Sequence, residues 1–120
     1  MRWGYQPRQV RQVAKSKVGK ASDIGENKMI GSEVNGRFIL VASIEGGFYG
    51  MQGTCSHAGG RLWEGKLNGF VVKCPRHGSE YDVRTGKVLK GPWVPFGKAY
   101  DLPTYKVTLE GEDLFVELPD

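Results

Sequence analysis

What this chain has least of is the most informative thing about it. Its 120 residues include two cysteines and two histidines. Two cysteines cannot build a disulfide framework. There is no apolar run of roughly eighteen residues, so no membrane-spanning helix is expected. The N-terminus lacks the apolar stretch of a secretory signal and a twin-arginine pair, which makes the cytoplasm the expected compartment. Acidic residues are absent from the first twenty positions, which carry Arg2, Arg8, Arg11, Lys15, Lys17 and Lys20, whereas the remaining hundred hold eleven basic and thirteen acidic residues. This basic arm, residues 1–16, reads as a solvated and partly disordered extension. Neither a phosphate-binding glycine loop nor a ladder of stacking aromatics is found, so no nucleic-acid partner is expected.

What is present is punctuated by turns. Eighteen glycines recur at short intervals. Arg37–Ile44 is rich in apolar and β-branched residues, and it ends at Glu45-Gly46-Gly47. Phe48–Gln52 reads as the returning strand and Phe70–Lys73 as a third. Tyr81–Arg84 and Lys87–Leu89 read as a hairpin around Thr85-Gly86, and Tyr105–Leu109 and Leu114–Leu118 as another around Glu110–Asp113. Short strands without a helical period predict an all-β antiparallel sandwich or barrel, in one domain at residues 17–118.

All the cysteine and histidine lies in two short pairs, Cys55-Ser56-His57 and Cys74-Pro75-Arg76-His77, with sixteen residues between His57 and Cys74. Each pair follows a predicted strand and precedes a glycine-containing turn. Two loops side by side at a sheet end can bring four ligands to one centre. Zinc accepts such a donor set, although structural zinc sites usually pair cysteine with cysteine and histidine with histidine. The mixed pairs also suit a binuclear iron–sulfur centre in which two thiolates hold one iron and two imidazoles the other.

These residues and their surroundings resemble the Rieske [2Fe–2S] family. Cys74-Pro75-Arg76-His77-Gly78-Ser79 is similar to its second cluster loop, Asp82–Gly86 to its following strand and turn, and Gly91-Pro92 to its proline loop. The resemblance implies a Rieske-like β-sandwich with a two-loop cluster-binding subdomain. It further implies one [2Fe–2S] cluster held by Cys55, His57, Cys74 and His77. Ser79 and Tyr81 match positions that donate hydrogen bonds to cluster sulfur in the respiratory branch, so the midpoint potential is expected above that of typical oxygenase ferredoxins. The respiratory branch also carries two loop-bridging cysteines at positions corresponding to Gly60 and Arg76, so the disulfide-free branch is implied. Leu62, Trp63, Trp93 and Phe96 are expected to pack near the loops, with an apolar docking rim as the alternative.

The implied function is one-electron transfer from a reductase to an oxygenase or another terminal redox enzyme, by a monomer that performs no catalysis itself. Alternatives are a small Rieske subunit of an enzyme complex such as a nitrite reductase, and a zinc-stabilised binding module. A complete oxygenase would need two further histidines for a mononuclear iron, and the sequence has none to offer.

Overall fold

Turn chemistry cuts this chain into short antiparallel strands. The computed structural model describes residues 13–119. In chain order the strands are β1 (Val13–Lys20), β2 (Lys28–Val34), β3 (Arg37–Ile44), β4 (Gly47–Gln52), β5 (Lys66–Asn68), β6 (Val71–Lys73), β7 (Glu80–Asp82), β8 (Val88–Lys90), β9 (Thr104–Tyr105), β10 (Val107–Glu110) and β11 (Asp113–Pro119). Two single-turn 3-10 helices, Ala21–Asp23 and Leu62–Glu64, interrupt them. Among the described residues no helix is long and apolar enough to cross a membrane.

The strands form three antiparallel sheets, ordered β1-β11-β10, β2-β3-β4-β9 and β5-β6-β7-β8. Residues 13–16, assigned by sequence to the basic extension, belong to β1 and pair with β11 from Val13↔Pro119 to Ser16↔Val116. Residues 1–12 lie outside the described residues.

β3 is the strand that divides the core. Every residue from Ile39 to Ile44 is buried, and strand geometry sends alternate side chains to opposite faces. Ile39 and Val41 therefore join Val18, Leu114 and Val116 in one core, against the β1-β11-β10 sheet. Leu40, Ala42 and Ile44 join Met51, Leu62, Val72 and Tyr81 in a second core, which also takes in Cys55 and Cys74. Burying a side chain such as Leu62 contributes about 2 kcal/mol, so the floor beneath the two cysteines is a rigid apolar platform.

Three strands were not anticipated: β1, β2 and β5. The predicted strand Tyr105–Leu109 is divided at Lys106 into β9, which pairs with β4, and β10, which pairs with β11. Another predicted strand is shorter than expected. Tyr81–Arg84 stops at Asp82, because the Asp82 carbonyl accepts the amides of Thr85 and Gly86, at 3.2 and 2.7 Å, and folds residues 82–86 into a turn.

Candidate metal centre

β4 ends at Gln52, three residues before Cys55, and β6 ends at Lys73, immediately before Cys74. The loops that follow share one backbone frame. Cys55 N–H donates to the Gly60 carbonyl at 2.8 Å, and Gly59 N–H to the Cys55 carbonyl at 2.9 Å. In the second loop Cys74 N–H donates to the Ser79 carbonyl at 2.8 Å, and Gly78 N–H to the Cys74 carbonyl at 3.2 Å. Gly59 and Gly78 turn each loop with φ of 69° and 79°, left-handed values that glycine adopts without steric cost.

This frame separates the ligand types by depth. The free thiols of Cys55 and Cys74 are 4% and 2% exposed. His57 and His77 are half-buried above them, and their Nδ1 atoms approach to 3.3 Å. That separation is less than two metal–nitrogen bonds of about 2.0–2.1 Å placed end to end. It suits two imidazoles sharing one metal. The sulfurs form the inner pair and the nitrogens the outer pair. Among the described residues no group of three or more Cys, His, Asp or Glu side chains gathers as a single-ion site would need. Two pairs of donors fit a binuclear cluster better than one tetrahedral zinc.

Burial works to raise the Cys55 thiol, yet hydrogen bonds from the Tyr81 hydroxyl and from the His57 and Ala58 amides outweigh it and lower its pKa. Burial dominates at Cys74 and raises its pKa, against the amides of Arg76 and His77. Burial and the Cys55 sulfur push the Tyr81 phenol up to about 12, so it stays protonated as a donor. Metal coordination would hold both sulfurs as thiolates outright.

Both expected tuning residues lie beneath the loops. Tyr81 is fully buried, with its hydroxyl 3.1 Å from Cys55 Sγ. Ser79 is also fully buried, and its hydroxyl has no protein partner. A buried hydroxyl without a partner costs about 1–3 kcal/mol. An inorganic sulfide would accept from it, so the chemistry of the pocket fits a [2Fe–2S] group.

The segment after β8 closes the site. Trp93 N–H donates to the His77 carbonyl at 2.9 Å. A Cβ on Gly78 would lie 2.3 Å from the Trp93 ring, and one on Gly97 would lie 2.4 Å from His57 Nε2. The segment thus seats on both histidine loops. Of the four residues expected to pack, Leu62 is fully buried and Trp63 stacks on Phe38 at 5.6 Å between centroids. Trp93 and Phe96 depart from that expectation, being 65% and 76% exposed. One part of the Trp93 ring rests on Gly78 of the second ligand loop and the remainder faces solvent.

Sequence reasoning also missed Ser56. Its hydroxyl lies 2.9 Å from the Tyr81 hydroxyl, donates to the Tyr100 carbonyl at 2.9 Å and accepts the Tyr100 amide at 2.7 Å. It ties the first ligand loop to the covering segment. Its place between two ligands was the only available signal. At the positions of the respiratory disulfide, a Cβ on Gly60 would lie 3.1 Å from Arg76 Cγ. The two positions are neighbours, and neither residue can bridge.

Comparison with known proteins agrees with this geometry. Residues 14–116 match the Rieske [2Fe-2S] domain model. The chain is 37% identical over 106 residues to the ferredoxin component of biphenyl 2,3-dioxygenase from Rhodococcus jostii, covering 88% of this chain and 94% of that protein. It is 33% identical over 96 residues to the ferredoxin component of the naphthalene 1,2-dioxygenase/salicylate 5-hydroxylase systems of Ralstonia sp, covering 80% and 88%. Among solved structures it matches a chain in the complex of reduced oxygenase and oxidized ferredoxin of carbazole 1,9a-dioxygenase, with a TM-score of 0.75, 28% identity and coverage of 85% and 91%.

Proposed function

The chain belongs to the Rieske [2Fe–2S] domain family, and on that footing we propose that it is a one-electron carrier, taking an electron from a reductase and delivering it to a terminal ring-hydroxylating oxygenase. The observation that carries this reading is the pair of matched loops, which bring two buried thiols together beneath two imidazoles whose Nδ1 atoms are 3.3 Å apart. We assign Cys55 and Cys74 as the thiolate ligands and His57 and His77 as the imidazole ligands, with Ser79 and Tyr81 as hydrogen-bond donors to sulfur. When bound, such a cluster cycles one electron at roughly −150 to +300 mV, above plant-type ferredoxins because two neutral imidazoles replace two thiolates.

The chain's own residues do the rest. Tyr81 and Ser79 donate hydrogen bonds to sulfur and so stabilise the more negative, reduced state. The apolar floor of Leu40, Met51, Leu62 and Val72 excludes water from the thiolates. The covering segment leaves the histidine edges half-buried, a short route for an electron to a docked partner. We place the functional domain at 17–118 together with the start of β1, residues 1–12 as a basic extension, and the protein in the cytoplasm as a monomer.

The test is a redox titration followed by electron paramagnetic resonance. A red-brown protein is expected, with iron and acid-labile sulfide each at about two per chain and the anisotropic spectrum of a reduced Rieske centre. A colourless protein that retains zinc would sink the reading.

A further inference from the structure

The half of the chain that carries the candidate ligands is electrostatically distinct from the half that supports it. Residues 55–101 hold eight basic and four acidic side chains, a formal +4, whereas residues 13–54 and 102–118 together hold six basic and eight acidic, a formal −2. Much of the positive charge is uncommitted. Among the described residues two of the four acids of this half pair locally, Glu64 with Arg61 at 3.5 Å and Asp82 with Arg84 at 3.0 Å, and no ion pair reaches Lys66, Lys73, Arg76, Lys90 or Lys98. All five are exposed.

Their positions follow the ligands. Lys73 and Arg76 flank Cys74, and Lys98 follows Gly97, which packs on His57. Between these cations stand aromatic side chains that the fold leaves largely in water: Trp93, Phe96 and Tyr100 are 65%, 76% and 63% exposed. Lys73 Nζ lies 6.0 Å from the Trp93 ring centroid. A cleft of about 340 Å³, lined by Lys66, Lys73, Cys74 and Trp93 among others, runs down to the ligand. Exposed aromatics near an arginine have the composition of interface anchors, and the lysines around them supply charge that steers a partner.

We propose that this basic, aromatic-collared face is the docking surface for an acidic redox protein, one whose electron-transfer surface sets carboxylates around an apolar centre. The inference rests on the electron-carrier reading and adds the charge of the partner. Coulomb attraction between the unpaired cations of this face and an acidic rim raises the encounter rate and orients the cluster end inward. Trp93 and Phe96 then lose water against the partner's apolar centre, while a partner carboxylate enters the cleft between Lys66 and Lys73.

The test uses the full-length, cluster-loaded protein, first verified by its paramagnetic spectrum; loss of that spectrum would count against the electron-carrier reading itself. The reduced protein is mixed with ferricyanide or with tris(phenanthroline)cobalt(III). In each case one electron leaves the protein and reduces iron(III) to iron(II) or cobalt(III) to cobalt(II). Between about 0.01 and 0.15 M salt the Debye length shortens from about 30 to about 8 Å. The ferricyanide rate is expected to fall about fivefold or more, and the cobalt rate to rise.

Lys90→Glu/Lys98→Glu takes residues 55–101 from a formal +4 to zero and should abolish both trends. Lys28→Glu/Lys106→Glu changes net charge equally on the opposite half and should leave them in place. Stopped-flow transfer to an acidic b-type cytochrome should exceed transfer to a basic c-type cytochrome per unit of driving force, and should weaken in Trp93→Ala with the spectrum intact. Equal salt slopes for the two double variants, or a preference for the basic cytochrome, would overturn the proposal. So would binding to phosphatidylserine vesicles with no salt dependence toward the acidic cytochrome, which would assign the face to a lipid surface.

Discussion

The Tyr81 hydroxyl lies 3.1 Å from Cys55 Sγ, inside a core that leaves Tyr81 no exposed surface. A hydrogen bond to an ionised acceptor contributes about 1.5–3 kcal/mol, and only its strengthening on reduction moves a potential. A difference of about 1 kcal/mol corresponds to about 40 mV for one electron, at 59 mV per tenfold. Tyr81→Phe should therefore lower the midpoint by about 40 mV without changing the iron content. Ser79→Ala should lower it by a similar amount while relieving an unpartnered buried hydroxyl in the metal-free protein. Protein-film voltammetry reads both shifts; unchanged midpoints would leave Tyr81 and Ser79 as packing residues.

Ser56 should act in the opposite direction. Tyr81 has one hydroxyl proton and two acceptors within reach, Cys55 Sγ at 3.1 Å and Ser56 Oγ at 2.9 Å. While Ser56 spends its own proton on the Tyr100 carbonyl, its oxygen competes with the sulfur for the Tyr81 proton. Ser56→Ala removes the competitor, so the midpoint should rise by about 20 mV, roughly 0.5 kcal/mol of restored bonding. The same change deprives the Tyr100 amide of its acceptor, so its hydrogen exchange should accelerate. A fall in midpoint would show that Ser56 supports the Tyr81 bond instead of dividing it.

The four candidate ligands were legible because cysteine and histidine occur nowhere else in the chain, and the strands leading into them were legible because turn residues bound them. β3 could be read to the residue, since the apolar run Phe38–Ala42 lies at its centre and glycine turns bound it on both sides. β1 and β2 escaped because neither alternates clearly: Lys15, Lys17 and Lys20 line one face of β1, and Gly31 in β2 lies beneath the Trp63 ring. Their strand state comes from partners distant in sequence, β11 and β3, and local pattern does not carry it. The exposure of Trp93 and Phe96 was unreadable for a related reason. Aromatic residues in a small domain usually fill its core, and only the tertiary fold shows that the segment carrying these two runs over the histidine loops at the surface.

The β3–β4 hairpin contains a correctable strain. Glu45 and Gly46 occupy the two turn positions with φ of 51° and 81°, as Asn35 and Gly36 do in the β2–β3 hairpin with φ of 51° and 81°. The two turns have one shape, and in each both residues are left-handed, which favours asparagine followed by glycine. Glutamate in that region costs about 1 kcal/mol. Glu45→Asn keeps the backbone amide that donates to Glu26 at 2.7 Å. It should raise Tm by about 3–6 °C for a domain of this size. Calorimetry of the metal-free protein isolates the effect from cluster loss, and an unchanged or lower Tm would mean that the Glu45 side chain makes a compensating contribution.

Acid should weaken the turn that follows Tyr81. Asp82 Oδ1 accepts the Arg84 amide at 2.9 Å and Nε at 3.1 Å, while Oδ2 accepts Nη2 at 3.0 Å. The guanidinium is held in place by the Phe70 ring, 4.1 Å below it. These bonds to Arg84, partly opposed by burial, lower the Asp82 carboxyl below its ordinary value. A depressed folded-state pKa contributes stability above the unfolded value, about 3.9, and that contribution is lost as pH falls through the folded value. Asp82→Asn should therefore lower Tm by about 3 °C at neutral pH, an effect kept small because the Arg84 side chain is half exposed to screening solvent. The gap between the two proteins should narrow as pH falls through the lowered folded value of Asp82 and its carboxyl loses its charge. Thermal melts across pH would test the sign directly: a gap that persists unchanged in acid would attribute the loss to turn geometry alone and not to the ionised Asp82–Arg84 pair.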